Sequence, residues 1–155
     1  MAAGIFGDAL DMDAMRFRLG KWWALQPARV TMSPDGNIWM HPNSGIWRED
    51  YSTEPLWLRA HIMHELTHVW QHQQGVNLPL RRHPFCRYGY RFDPGKPFAA
   101  YGLEQQAELV KHAYVAQQLA HSPPRTMPAK LAPPASFADL ADVLPFEPDV
   151  ALRQA

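Results

Sequence analysis

The chain has 155 residues, 46% of them hydrophobic and 19% charged, with six tryptophans and one cysteine. That is a one-domain length with ample apolar material for a core, and it excludes both a disordered chain and an internal disulfide. Fifteen basic residues balance fifteen acidic ones, so bulk attraction to nucleic acid or to an anionic membrane is not expected. Nothing approaches the roughly twenty apolar residues of a membrane span.

In chain order, the N-terminus has no lysine or arginine before Arg16 and no apolar run of signal-peptide length. The chain is therefore expected to be made in the cytoplasm without a cleavable leader. Injection machinery and simple cytoplasmic residence both fit. Residues 5–50 read as short strands and turns: an alternating run from Met15 to Leu19, an extended run from Arg29 to Met32, a turn at Pro34-Asp35-Gly36, and a third strand from Asn37 to His41. The tryptophans of this half and Trp57 read as core and cleft-wall residues.

Leu58 to Gly75 reads as a helix. Leu58, Ile62, Leu66 and Val69 keep an apolar stripe, Pro55 stands just ahead of it, and Gly75 is placed to stop it. Residues 76–100 are rich in Pro, Gly, Arg and aromatics without lasting period, and a connection of this length is usually functional. Its Arg81, Arg82, Arg87 and Arg91 fit pairing with acidic neighbours or a substrate carboxylate better than nucleic acid, and Cys86 reads as an ordinary semi-buried thiol. Tyr101 to His121 is the other long helix-like run. Beyond it, residues 122–155 carry seven prolines, which forbid a long helix, although Ser136 is placed to cap a short one through Val143.

The chemistry is concentrated in His64-Glu65-Leu66-Thr67-His68. On a helix, His64 and His68 lie one turn apart on the same face and converge on one metal ion. The H-E-x-x-H spacing supplies two imidazole ligands for Zn²⁺ and a carboxylate, Glu65, as general base. A third ligand must come from elsewhere, and Glu104 on the later helix is the candidate. Glu108, one turn on, is expected to accept the second N–H of a ligating imidazole, and Tyr101, one turn before, to lie near the open side of the metal. Tyr101 is preferred over His83, Tyr88 and Tyr90 as donor to a developing oxyanion. His61, His72 and His112 read as bystanders, and His41 and His121 have no evident partner.

His64-Glu65-x-x-His68 followed by Glu104-Gln105-Gln106-Ala107-Glu108 resembles the gluzincin pattern of H-E-x-x-H and a downstream acidic helix. With Phe6-Gly7-Asp8, Met15-Arg16-Phe17 and Asp35-Gly36-Asn37-Ile38 ahead of HELTHVWQH, residues 5–116 also resemble small H-E-x-x-H domains on cargo of contractile injection systems. They are similar, too, to zinc-peptidase-like proteins encoded near type VI secretion spike proteins. One departure is Arg18, where that family often has histidine. The resemblance implies that the strand Ile38–His41 is a sheet edge holding an extended peptide by β-strand addition; the equal alternative is that it belongs to a covered hairpin.

The expected fold is α+β, a minimal zincin-like domain over residues 1–121. It would have a small N-terminal antiparallel sheet, an active-site helix, a second helix bearing the Glu ligand, and a Pro-rich tail over 122–155 packed on the body or partly disordered. The expected function is zinc-dependent peptide-bond hydrolysis, as an effector or toxin exported by an injection system. The alternative is a non-catalytic zinc-stabilised module that loads or anchors secreted cargo. A protease of protein–DNA crosslinks ranks last, lacking a third histidine and a basic surface. Expected partners are a peptide or protein substrate and secretion-system spike or cargo proteins, with no nucleic acid and no membrane.

Overall fold

The structure, a computed structural model, describes residues 1–81, 88–122 and 126–148. His83 and Cys86 lie outside the described residues. The elements are α1 (Ala3–Phe6), β1 (Phe17–Leu19), β2 (Thr31–Met32), β3 (Ile38–Met40), α2 (Leu56–Gln73), α3 (Leu78–Arg81), α4 (Leu103–His121) and α5 (Phe137–Ala141), with short 3₁₀ turns between some of them. The class is α+β, as expected.

Helix α2 is the axis of the molecule. Its apolar stripe is buried, and so are His64, Glu65, Thr67, His68 and Gln71, so it is covered on nearly every side. Its C-terminus closes as a Schellman motif: Val76 N–H donates to Gln71 O and Gly75 N–H to His72 O, with Gly75 at φ +81° as the sequence requires. Helix α4 runs antiparallel beside it. Gln71, near the end of α2, bonds Leu103 and Gln106, whereas Arg59, near its start, bonds Tyr114 and Gln118.

The sheet order is β1-β3-β2, and it corrects two expectations. The sheet is mixed: β2 and β3, joined by a tight turn, are antiparallel, while β1 reaches β3 through a long connection and runs parallel to it. In addition, β3 is the central strand. Phe17, Arg18 and Leu19 pair with Ile38, Trp39 and Met40 on one side, and Thr31 and Met32 pair with Met40 and Trp39 on the other. Its main chain is consumed, so it is not a peptide-binding edge; the edge on the α2 side is β2. In the turn between them, Gly36 has φ +79°, and a Cβ there would lie 2.6 Å from His72 Cδ2. Only glycine lets the turn sit against α2.

Of the tail, residues 126–148 are described, and they lie on the body. Ser136 caps α5 by accepting from Asp139 N–H at 3.2 Å. Phe137, Leu140, Ala141, Leu144 and Phe146 belong to the main core. The Phe146 ring packs against Phe6, Trp70 and Phe98, at centroid distances of 4.8, 5.3 and 6.3 Å. Phe146→Ala should therefore cost about 3–5 kcal/mol in a chemical-denaturation curve, the range for truncating a buried aromatic. A change within about 0.5 kcal/mol would place the tail outside the cooperative unit.

Candidate metal centre

The i, i+4 spacing on α2 brings the imidazoles of His64 and His68 together, their Nε2 atoms 3.2 Å apart. The first turn of α4 brings Glu104 to the same point, with Oε2 3.3 Å from each Nε2. All three residues are buried, and among the described residues they form the cluster able to hold a metal ion. The spacing fits one. Tetrahedral bonds of about 2.0–2.1 Å put neighbouring ligand atoms about 3.3–3.4 Å apart.

The donor chemistry agrees with the spacing. His68 Nδ1 is 2.8 Å from Gln71 Oε1. The amide nitrogen of Gln71 donates to Leu103 O and Gln106 Oε1, so its oxygen is the acceptor and His68 must carry its proton on Nδ1. The lone pair on His68 Nε2 is thus turned toward His64 and Glu104. Gln106 is fixed in turn by donating to Tyr101 O at 2.9 Å. His64 Nδ1 faces Glu108 Oε1 at 3.0 Å. Glu108 also pairs with Lys111.

Without a metal, a proton takes its place. Burial alone would depress the pKa of His64, but Glu104 and Glu108 outweigh it and hold the imidazole up to about 9. Burial likewise raises Glu108, and its bonds to His64 and Lys111 prevail, bringing it down to about 2. For Glu65, burial again raises the pKa, but His61, His64, His68 and the Ser33 hydroxyl leave it below the usual carboxylate range. Glu65 is therefore ionised at neutral pH. Ser33, itself fully buried, donates to Glu65 Oε2 at 2.8 Å.

His64 and Glu65 open onto a cavity of about 310 Å³, whose walls include Arg29, Thr31, Trp57, His61, Tyr88, Glu108 and Lys111. Tyr88 lays its ring over His64, 6.0 Å between centroids and 18° from parallel. His61 bonds Thr31 Oγ1 at 2.8 Å, and His112 bonds the Tyr90 hydroxyl at 2.8 Å. The structure thus assembles His64, Glu65, His68, Glu104 and Glu108.

It does not bring Tyr101 to the cavity. The Tyr101 hydroxyl donates to Asp93 O and accepts from Asp93 N–H, and Lys96 covers its ring. The cause is local. Tyr101 and Gly102 are extended, at ψ 146° and 158°, so Tyr101 lies outside α4 and the helical spacing to Glu104 does not apply. Two contributors escaped the sequence reading. Gln71, one turn beyond His68, has a legible spacing, whereas Ser33, 32 residues from Glu65 and just after β2, has none.

The raised pKa of His64 carries a pH prediction for chelator-treated protein. A folded pKa above the unfolded 6.5 contributes stability that is complete below 6.5 and lost as pH rises through about 9. Thermal unfolding in chelator should show Tm falling across that window, and Glu108→Gln should flatten the fall. A Tm independent of pH from 6.5 to 9 would contradict the pairing.

No protein-family model matches the chain. In an alignment of 124 positions that covers 74% of the chain, it is 35% identical to the type VI secretion system spike protein VgrG2b of Pseudomonas aeruginosa. The match spans 12% of that much longer protein. It also matches the solved structure of the effector domain of P. aeruginosa VgrG2b with a TM-score of 0.68 and 34% identity, over 76% of this chain and 69% of that one. An agreement of that identity over more than two thirds of the solved domain places this chain in the family of the VgrG2b effector domain.

Proposed function

We propose that this domain is a zinc-dependent peptidase acting as an effector delivered with a type VI secretion spike. The observation that carries the chemistry is the coincidence, at one cavity, of three ligand atoms spaced for a small cation and an ionised carboxylate beside them. Family membership supports the delivery, since the relative is itself a spike protein with an effector domain. Two imidazoles and one carboxylate are a ligand set of catalytic zinc, which keeps its fourth position open. Zinc, when bound, supplies a Lewis acid that acidifies water and polarises a carbonyl.

The residues around it divide the remaining work. Glu65 takes a proton from the attacking water at a carboxylate oxygen and returns it to the leaving amine. Ser33 holds Oε2, which limits rotation of the carboxylate and keeps the other oxygen aimed. Glu108 orients His64, and Gln71 orients His68. Tyr88 takes over from Tyr101 as the hydroxyl donor to the developing oxyanion, because it borders the cavity and stacks on His64. The β2 edge, whose Thr31 lines the same cavity, replaces β3 as the rail for an extended substrate.

The alternative, a zinc site that only stabilises the fold, accounts less well for the cavity, because structural sites close with four protein ligands. Glu65→Gln separates the two readings. On the peptidase reading it keeps its metal and loses about 10²–10⁴-fold in cleavage of a peptide library read by mass spectrometry. Cleavage at the wild-type rate would leave only the structural role. Ser33→Ala should lower kcat by about tenfold or more, the worth of a hydrogen bond to a charged group, and leave KM and metal content unchanged. Ser33→Thr should restore the loss.

A further inference from the structure

The neutral overall charge conceals a segregated one. From Ala14 to Pro34 the sequence contains Arg16, Arg18, Lys21 and Arg29 and no acidic residue. All four cations are exposed, and none forms an ion pair with a described residue. The same stretch displays large apolar side chains: Leu19 is 52% exposed, Trp22 40%, Trp23 46% and Leu25 76%. Four such residues within seven positions is more than scattered surface apolarity explains.

The segment holding them up is built rather than loose. Buried Gln26 accepts from Trp22 N–H at 2.8 Å, and its amide donates to Val30 O at 2.8 Å. Gln26 N–H donates to Trp23 O at 3.1 Å, and Lys21 Nζ to Ala24 O at 3.0 Å. A polar side chain is thus spent underneath the loop while indole rings stay in water. On one flank, Arg18 lies over the Trp39 ring, and the indole N–H of Trp39 donates to Asp35.

We propose that residues 18–29 form a docking surface for an anionic phospholipid bilayer. Trp22, Trp23 and Leu25 enter the headgroup region while Arg18, Lys21 and Arg29 meet the lipid phosphates. The match is one of charge and of side-chain type. Indole rings favour the interface between water and hydrocarbon, and clustered cations gain about fivefold in binding each at a negative surface. Arg29 and the adjoining Val30 and Thr31 also line the metal cavity, so docking would bring that cavity close to the membrane surface. The inference does not depend on the peptidase reading.

The test is sedimentation of the full chain with vesicles of equimolar phosphatidylglycerol and phosphatidylcholine, beside vesicles of phosphatidylcholine alone, with tryptophan emission recorded in parallel. Binding to the anionic vesicles, weakened by salt and accompanied by a blue shift, is the expected result. Arg18→Glu with Lys21→Glu should lower it at least about 25-fold, and Trp22→Ser with Trp23→Ser should abolish the blue shift. Both pairs are exposed, and unchanged circular dichroism and Tm would establish that they fold. The proposal is overturned by absence of binding to either vesicle, by binding that these variants leave unaltered, or by a chain dimer that buries the tryptophans instead.

Discussion

Two imidazole nitrogens and a carboxylate oxygen, each within 3.3 Å of the other two, cannot share a buried space unless something positive lies among them. Gln71 turns the lone pair of His68 inward, and Glu104 brings a charge to the same point. Left unfilled, such an arrangement carries the repulsion and desolvation of buried acceptors, a cost of several kcal/mol. The protein meets this with a proton on His64, whose pKa rises to about 9. A metal bound by these residues would compete with that proton for one place, and its uptake at neutral pH would release the proton.

Much of the fold can be understood as what holds these three side chains in place. The antiparallel pairing of α2 and α4 sets Glu104 against the two histidines. Its far end is secured by Arg59 on Tyr114 and Gln118, and its near end by Gln71 and Gln106. Strand β2 and the turn that follows it contribute on a neighbouring face of α2, where Thr31 reaches His61 and Ser33 reaches Glu65. The tail completes the core through Phe146, in contact with Trp70 of the metal helix. Positioning of this kind needs rigid elements rather than loops, and each ligand sits on one of the two long helices.

The parts that were legible in the sequence are those with a period. Spacing along a helix is enough to bring His64 and His68 to one point and Glu104 and Glu108 onto one face, and Gly75 and Ser136 mark helix boundaries. The errors arose where no period applies. Helical spacing from Glu104 puts Tyr101 on the metal face only if α4 begins one turn earlier, whereas the chain is extended up to Gly102. For strand Ile38–Met40 an edge and a covered hairpin read alike in sequence, because pairing partners leave no mark within a three-residue run; pairing with both β1 and β2 makes it central. Ser33 was invisible because its partner is distant in sequence. Net charge is silent in a related way, since a sum of zero carries no information on where Arg16, Arg18, Lys21 and Arg29 lie relative to the acidic residues.

The proposed chemistry requires that Glu104 close the metal site. Zinc content measured on purified protein after dialysis, for the wild type and for Glu104→Ala, tests this most directly. The expected outcome is about one zinc per wild-type chain and almost none in a Glu104→Ala protein whose circular dichroism shows it folded. A wild type that holds no zinc, or a Glu104→Ala protein that keeps its full complement, would contradict it.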